Sequence, residues 1–205
     1  LYHTRSIEAY IVLSIAYKNS QKYEEALNIL KKAQKVSMNA NHTEHLLHLY
    51  YTIGAIDSKQ GKTKSAISNF QLCIKHSNED LYTASSIVSI IIEFAKQRDY
   101  TSVIEWCQKG ITLCKNSSHP TIKIRLPHFL CYQAIYGEGD NCEMTLQKCI
   151  KLFEQQKEYR YSHKFSLKLA QYYVENKKYK NAALQFKKAN EYLALKENRE
   201  FIEDL

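Results

Sequence analysis

Apolar residues along this chain recur at helical spacing, in paired segments separated by short polar turns. The clearest element is a small residue followed four positions later by a larger one: Ala26/Leu30, Ala66/Phe70, Val103/Cys107, Thr145/Cys149 and Ala182/Phe186. Their first members are 40, 37, 42 and 37 residues apart. A turn-like stretch precedes each pair, from Asn19-Ser20-Gln21-Lys22 in the first case to Glu175-Asn176-Lys177-Lys178 in the last. Another amphipathic segment lies ahead of each turn. Self-similarity at a period of roughly 20–50 residues predicts an array of helical hairpins, each hiding its apolar face against the next.

The repeats fall at about 7–39, 43–76, 81–114, 121–156 and 160–190, and a capping helix is expected over 191–205. In the first repeat, Tyr10, Leu13 and Tyr17 form an apolar stripe on helix A, and Ala26, Leu27, Leu30 and Ala33 form one on helix B. The small residue lets the helices approach, and the large one fills the seam. Gly54, inside a helix, costs about 1 kcal/mol against Ala; close helix–helix contact is a reason to accept that cost. Ile87-Val88-Ser89-Ile90-Ile91-Ile92 alone could pass for a strand, but its neighbours argue for a buried helix. The fourth repeat is degenerate. Pro127 falls where its helix A begins, so that helix either starts near Arg125 or is kinked. With the Gly137–Gly139 turn, this repeat is the expected irregularity or hinge. The predicted fold is an all-α, right-handed superhelical solenoid of about five hairpins plus the cap, in a single domain over 1–205.

Leu13, Ser14, Tyr17, Tyr23, Ala26, Leu30 and Ala33 in the first repeat, Gly54, Gly61, Ala66, Phe70 and Cys73 in the second, and Leu169, Ala170, Tyr173, Tyr179, Ala182, Phe186 and Ala189 in the fifth resemble the tetratricopeptide repeat. The closing stretch Leu169–Asn190 and the Lys/Tyr/Asn-rich composition are similar to the C-terminal repeat domains of peptide-pheromone receptors of low-GC Gram-positive bacteria, the Rap, PlcR and NprR type. That resemblance implies a concave face that holds a short secreted peptide. It also implies an output domain, which would lie outside these 205 residues.

A groove for extended peptide needs amides and hydroxyls to satisfy the peptide backbone, with apolar pockets between them. The helix A positions expected to face it include Glu8, Ile11, Ile15 and Asn19, then His48, Tyr51, Ala55 and Lys59, then Ser85, Val88, Ser89 and Ile92. Leu130, Gln133, Ala134 and Glu138, and Lys164, Leu167 and Gln171, continue the set. The candidate peptide-binding residues are Asn19, His48, Tyr51, Ser85, Ser89, Gln133 and Gln171. Ordinary surface positions are the plainer reading of each. A chaperone-tail clamp is excluded, because Ile11, Ile15, Thr52, Ser85 and Ser89 stand where its lysines, asparagines and arginine would be.

Charge and chemistry change this picture little. The formal net charge is +8, but the lysines are spread over many helices. Solvated helix faces explain them, and direct nucleic-acid binding by this segment is not expected. The six cysteines contain no Cys-x-x-Cys pair and read as small core residues of a cytoplasmic protein. His42, His45 and His48 lie three apart, but the run crosses a helix start and holds no His-Glu-x-x-His; no metal is expected. There is no phosphate loop or nucleophile elbow, and Cys142 and Glu143 lack a base partner, so neither enzyme nor cofactor is expected. No membrane span or basic-then-apolar leader is visible, although the chain begins at Leu1 rather than Met. Trp106 either anchors a partner or packs against the next repeat. The functional expectation is the sensing domain of a signalling-peptide regulator, with a homodimer left open. The alternative is a scaffold that assembles protein subunits with no small ligand.

Overall fold

The computed structural model describes residues 2–39, 44–77, 81–139 and 141–203. Every regular element among them is helical. Five hairpins follow one another: α1 (Tyr2–Asn19) with α2 (Tyr23–Asn39), α3 (Glu44–Lys59) with α4 (Thr63–His76), α5 (Leu81–Lys96) with α6 (Tyr100–Asn116), then, after the single turn α7 (Pro120–Lys123), α8 (Leu126–Tyr136) with α9 (Cys142–Gln155) and α10 (Tyr159–Glu175) with α11 (Tyr179–Glu203). The helices group into two compact units, residues 1–123 and 124–205. The closing segment continues α11 unbroken through 203 instead of forming a helix of its own.

One turn is used five times. At the end of α1, the Gln21 N–H donates to the Lys18 carbonyl and the Lys22 N–H to that of Tyr17, with Gln21 left-handed at φ 59°. The same paired bonds recur around Gly61, Arg98, Lys157 and Lys177, each at positive φ. This is the Schellman ending, which satisfies the last carbonyls of one helix and aims the chain into the next. Four of the five carry a side chain where glycine would be less strained. The Lys157 turn joins α9 to α10, between hairpins instead of within one.

In the first unit, Ile7, Ile11, Leu27, Leu30, Leu46 and Leu49 form one buried cluster, and Ala66, Phe70 and Ile90 form another. The α1 stripe differs from the expected one. Ile7, Ile11 and Ser14 are buried, whereas Leu13 is 43% exposed and Val12 68%. Ile11, expected on the concave face, is therefore core. Both sides of α1 are apolar, so spacing alone does not select the buried face. Gly54 behaves as its cost predicts: a Cβ there would lie 2.8 Å from Phe70 Cε1 and 2.9 Å from Cδ1. Trp106 packs backward onto the Phe70 cluster, with Lys109 Nζ 4.3 Å from its ring centroid.

In the second unit, α8 begins at Leu126 with Pro127 in its first turn, so the proline starts the helix and no kink is needed. The α9 core side chains are Cys142, Leu146, Cys149, Ile150 and Phe153, while Thr145 is half-buried. The small/large pair of this repeat is thus Cys142/Leu146, not Thr145/Cys149. The spacings between first members become 40, 37, 39 and 40 residues. Phe153 and Phe165 stack at 5.5 Å, and Tyr132 and His128 meet them edge-on. On α11, Ala182 and Ala189 are buried, but Phe186 is 41% exposed.

Candidate functional site

The first helices of the hairpins carry the candidate residues, and each compact unit presents its own set. In the first unit, His48 and Tyr51 on α3 meet Tyr82 on α5 at ring-centroid distances of 5.6 and 5.7 Å. Tyr51 also lies 5.7 Å from Phe70. Its ring therefore helps seal α3 against α4 and α5, and only part of it reaches solvent. Ser85 and Ser89 are half-buried one and two turns beyond Tyr82 on the same helix. Asn19 is exposed at the C-terminal end of α1. Its neighbour Lys18 does act electrostatically on His48. Burial first, then Lys18 and His45, push the His48 imidazole below its ordinary pKa of 6.5. The His48 side chain is half-open to solvent, while its Nδ1 is buried and has no hydrogen-bond partner among the described residues.

At the C-terminal ends of α3 and α5, composition gave no hint of a polar seam. Glu93 is 1% exposed and accepts from Ser58 Oγ at 2.6 Å, and Lys96 pairs with the same carboxylate oxygen. Asp57, 4% exposed, accepts from Ser65 Oγ at 2.6 Å and Asn69 Nδ2 at 3.2 Å. These carboxylates fix the helices that carry the face, since burying them costs several kcal/mol unless such bonds are made.

In the second unit, Gln133 is half-buried on α8, and Gln171 is exposed on α10, donating to Glu175 of its own helix at 3.1 Å. The two do not meet. Between them stands Lys164, whose Nζ donates to Tyr132 Oη and lies 5.1 Å from that ring's centroid. Burial, then Arg160 and Lys168, lower its pKa to about 8. His128 is 2% exposed, and burial, Arg125 and Lys164 push it down to about 3. The sequence signal for this group was the basic spacing 160, 164, 168, one helical turn per step. A search for dense lysine runs passes over it.

All six cysteines are buried, and none is joined in a disulfide. Burial raises Cys107 to about 12 and Cys114 to about 11, values at which no thiolate nucleophile exists near neutral pH. Of the three histidines, His42 lies outside the described residues. Among the described residues no three His, Cys, Asp or Glu side chains gather round a common metal position, and no helix is long and apolar enough to cross a membrane.

Hairpins closed by small/large pairs, with first helices lining a polar and aromatic face, define a tetratricopeptide-repeat fold. A tetratricopeptide-repeat family model matches residues 7–37. The chain is 24% identical over 197 residues to the transcriptional activator NprA of Geobacillus stearothermophilus, covering 92% of this chain and 48% of that protein. It superposes on the apo form of RapI with a TM-score of 0.76 at 16% identity, covering 96% of this chain and 54% of RapI. A Rap protein complexed with competence and sporulation factor gives a TM-score of 0.68 at 18% identity, covering 93% and 53%. The chain thus spans about half the length of these relatives.

Proposed function

We propose that this chain is the ligand-sensing repeat domain of a bacterial signalling-peptide regulator, with a short peptide as its ligand. The observation that carries this reading is the similarity to NprA and to Rap proteins over more than nine-tenths of the chain, one of those Rap structures holding a signalling factor. The first unit suits such a ligand: His48, Ser85 and Ser89 are half-open polar side chains on α3 and α5, with His48 beside the Tyr82 ring. In this reading the chain works as a cytoplasmic binding domain and not as an enzyme, and any DNA-binding or phosphatase-directed output belongs to segments outside it. The scaffold alternative needs no small ligand.

The test is a selection of random heptapeptides on the purified chain, followed by calorimetry of the best binder. Alanine at both His48 and Ser89, or at both Ser85 and Ser89, should weaken it about tenfold, a loss of about 1.4 kcal/mol, without lowering the melting temperature. Unchanged affinity would remove these residues from the site. Failure to select any peptide, together with recovery of a stable multi-subunit complex from cells, would favour the scaffold.

A further inference from the structure

The second unit holds a group of cations with no counter-ion. Arg160, Lys164 and Lys168 follow one another at single-turn steps on α10, and Arg125 caps the start of α8. None of the four makes an ion pair among the described residues, although elsewhere four lysines each find a glutamate. Two nitrogens in the group are buried without a hydrogen-bond partner: Arg125 Nε and His128 Nδ1, the latter on a side chain 98% buried by its 2% exposure. Lys164 has the Tyr132 hydroxyl as its acceptor. Buried polar atoms are nearly always bonded, and clustered like charges repel. A site built this way is relieved when an anion enters it.

We propose that Arg125, Arg160, Lys164 and Lys168, beside Tyr132 and His128, form a subsite for a carboxylate of the bound peptide. The inference rests on the peptide-sensor reading and gives that ligand a chemistry: an acidic side chain or a free C-terminus that anchors on α8 and α10. A carboxylate here would accept charge-assisted hydrogen bonds from two or more of the cations, which are shorter and stronger than neutral ones. Burial first, then Arg160 and Lys168, lower the pKa of Lys164, and an anion beside it would raise it.

Three synthetic probes separate the sources: N-acetyl-triglutamate amide, with side-chain carboxylates alone; N-acetyl-triglutamine, with a terminal carboxylate alone; and N-acetyl-triglutamine amide, with neither. Binding by calorimetry at low salt should favour one of the acidic probes over the neutral one. Arg160→Gln with Lys164→Gln should weaken it about tenfold. Lys187→Gln with Lys188→Gln, which removes the same charge from α11, should leave it within about twofold, and the exposed Lys168→Gln serves as a further variant if the first pair unfolds. Equal loss in both double variants would mean non-specific attraction to a basic protein and overturn the subsite. No preference for the acidic probes would overturn it too. Selected heptapeptides that bind without any need for a carboxylate would overturn the subsite and leave the sensor standing. Probe binding that depends on Arg160 and Lys164 while no heptapeptide is selected would keep the anion site and sink the sensor.

Discussion

Replacing Gly54 by alanine sets two effects of known sign against each other. On propensity alone the change should stabilise α3 by about 1 kcal/mol, because glycine loses more backbone freedom in a helix interior than alanine does. The added Cβ, however, would sit 2.8, 2.9 and 3.1 Å from three ring carbons of Phe70, where carbon atoms normally rest about 3.5–4 Å apart. Phe70 is 1% exposed and held by Tyr51, Ile74, Phe94 and Trp106, so its ring has little room to retreat. Overpacking of this kind costs about 1–3 kcal/mol. The balance is a net loss of up to about 2 kcal/mol, which for a chain of this size lowers Tm by about 2–4 °C per kcal/mol. Trp106, the single tryptophan, packs on this same cluster, so its fluorescence during urea unfolding reads the affected region directly. Phe70→Leu removes the ring edge that the methyl group meets. In that background Gly54→Ala should turn stabilising, giving a coupling of about 1–3 kcal/mol in the double-mutant cycle. If Gly54→Ala raised stability by about 1 kcal/mol in the parent protein, the glycine would not be there for close approach.

Two further predictions come from other parts of the chain. Unfolded, His128 takes up a proton below its ordinary pKa of 6.5, but folded it resists down to about 3. Protons therefore favour the unfolded chain increasingly as pH falls through that window, and moving from pH 7 to pH 5 should cost about 2 kcal/mol at this site. His128→Phe keeps a ring against Phe153 and Tyr161 and should lose about that much less over the same range in urea titrations; an unchanged pH slope would contradict the assignment. Arg98 holds φ at 61° in a Schellman turn, so Arg98→Gly should raise stability by about 0.5–1 kcal/mol, measured as an increase in Tm, whereas a decrease would show that the arginine side chain matters more than its backbone strain.

How far the chain could be read follows from where each physical signal lives. The hairpins were legible because burial on one helix face imposes a spacing, and α9 shows its clean form: Cys142, Leu146, Cys149, Ile150 and Phe153, at steps of four, three, one and three, are all buried. The α1 face was not, because Val12 and Leu13 are as apolar as Ile7 and Ile11, and what decides between them is the position of α2 and α3. The turns were legible as places but not as a shared geometry. Glycine marks the left-handed position in Gly61 alone, and Gln21, Arg98, Lys157 and Lys177 occupy it without any sequence signal.

The candidate face divides in the same way. Residue type and register put His48, Ser85 and Ser89 half-open on neighbouring helices, as a groove requires. Register alone could not reveal that Tyr51 would be drawn into the Phe70 seam. The unpaired cations are harder still. Arg160, Lys164 and Lys168 look like any solvated helix face until α8 places Tyr132 and His128 against them and no carboxylate arrives. A missing partner is a property of the assembled fold, so it is visible only once every neighbour is in place. For that reason the cations on α8 and α10, which make no ion pair among the described residues, could be proposed as a carboxylate subsite only from the assembled fold.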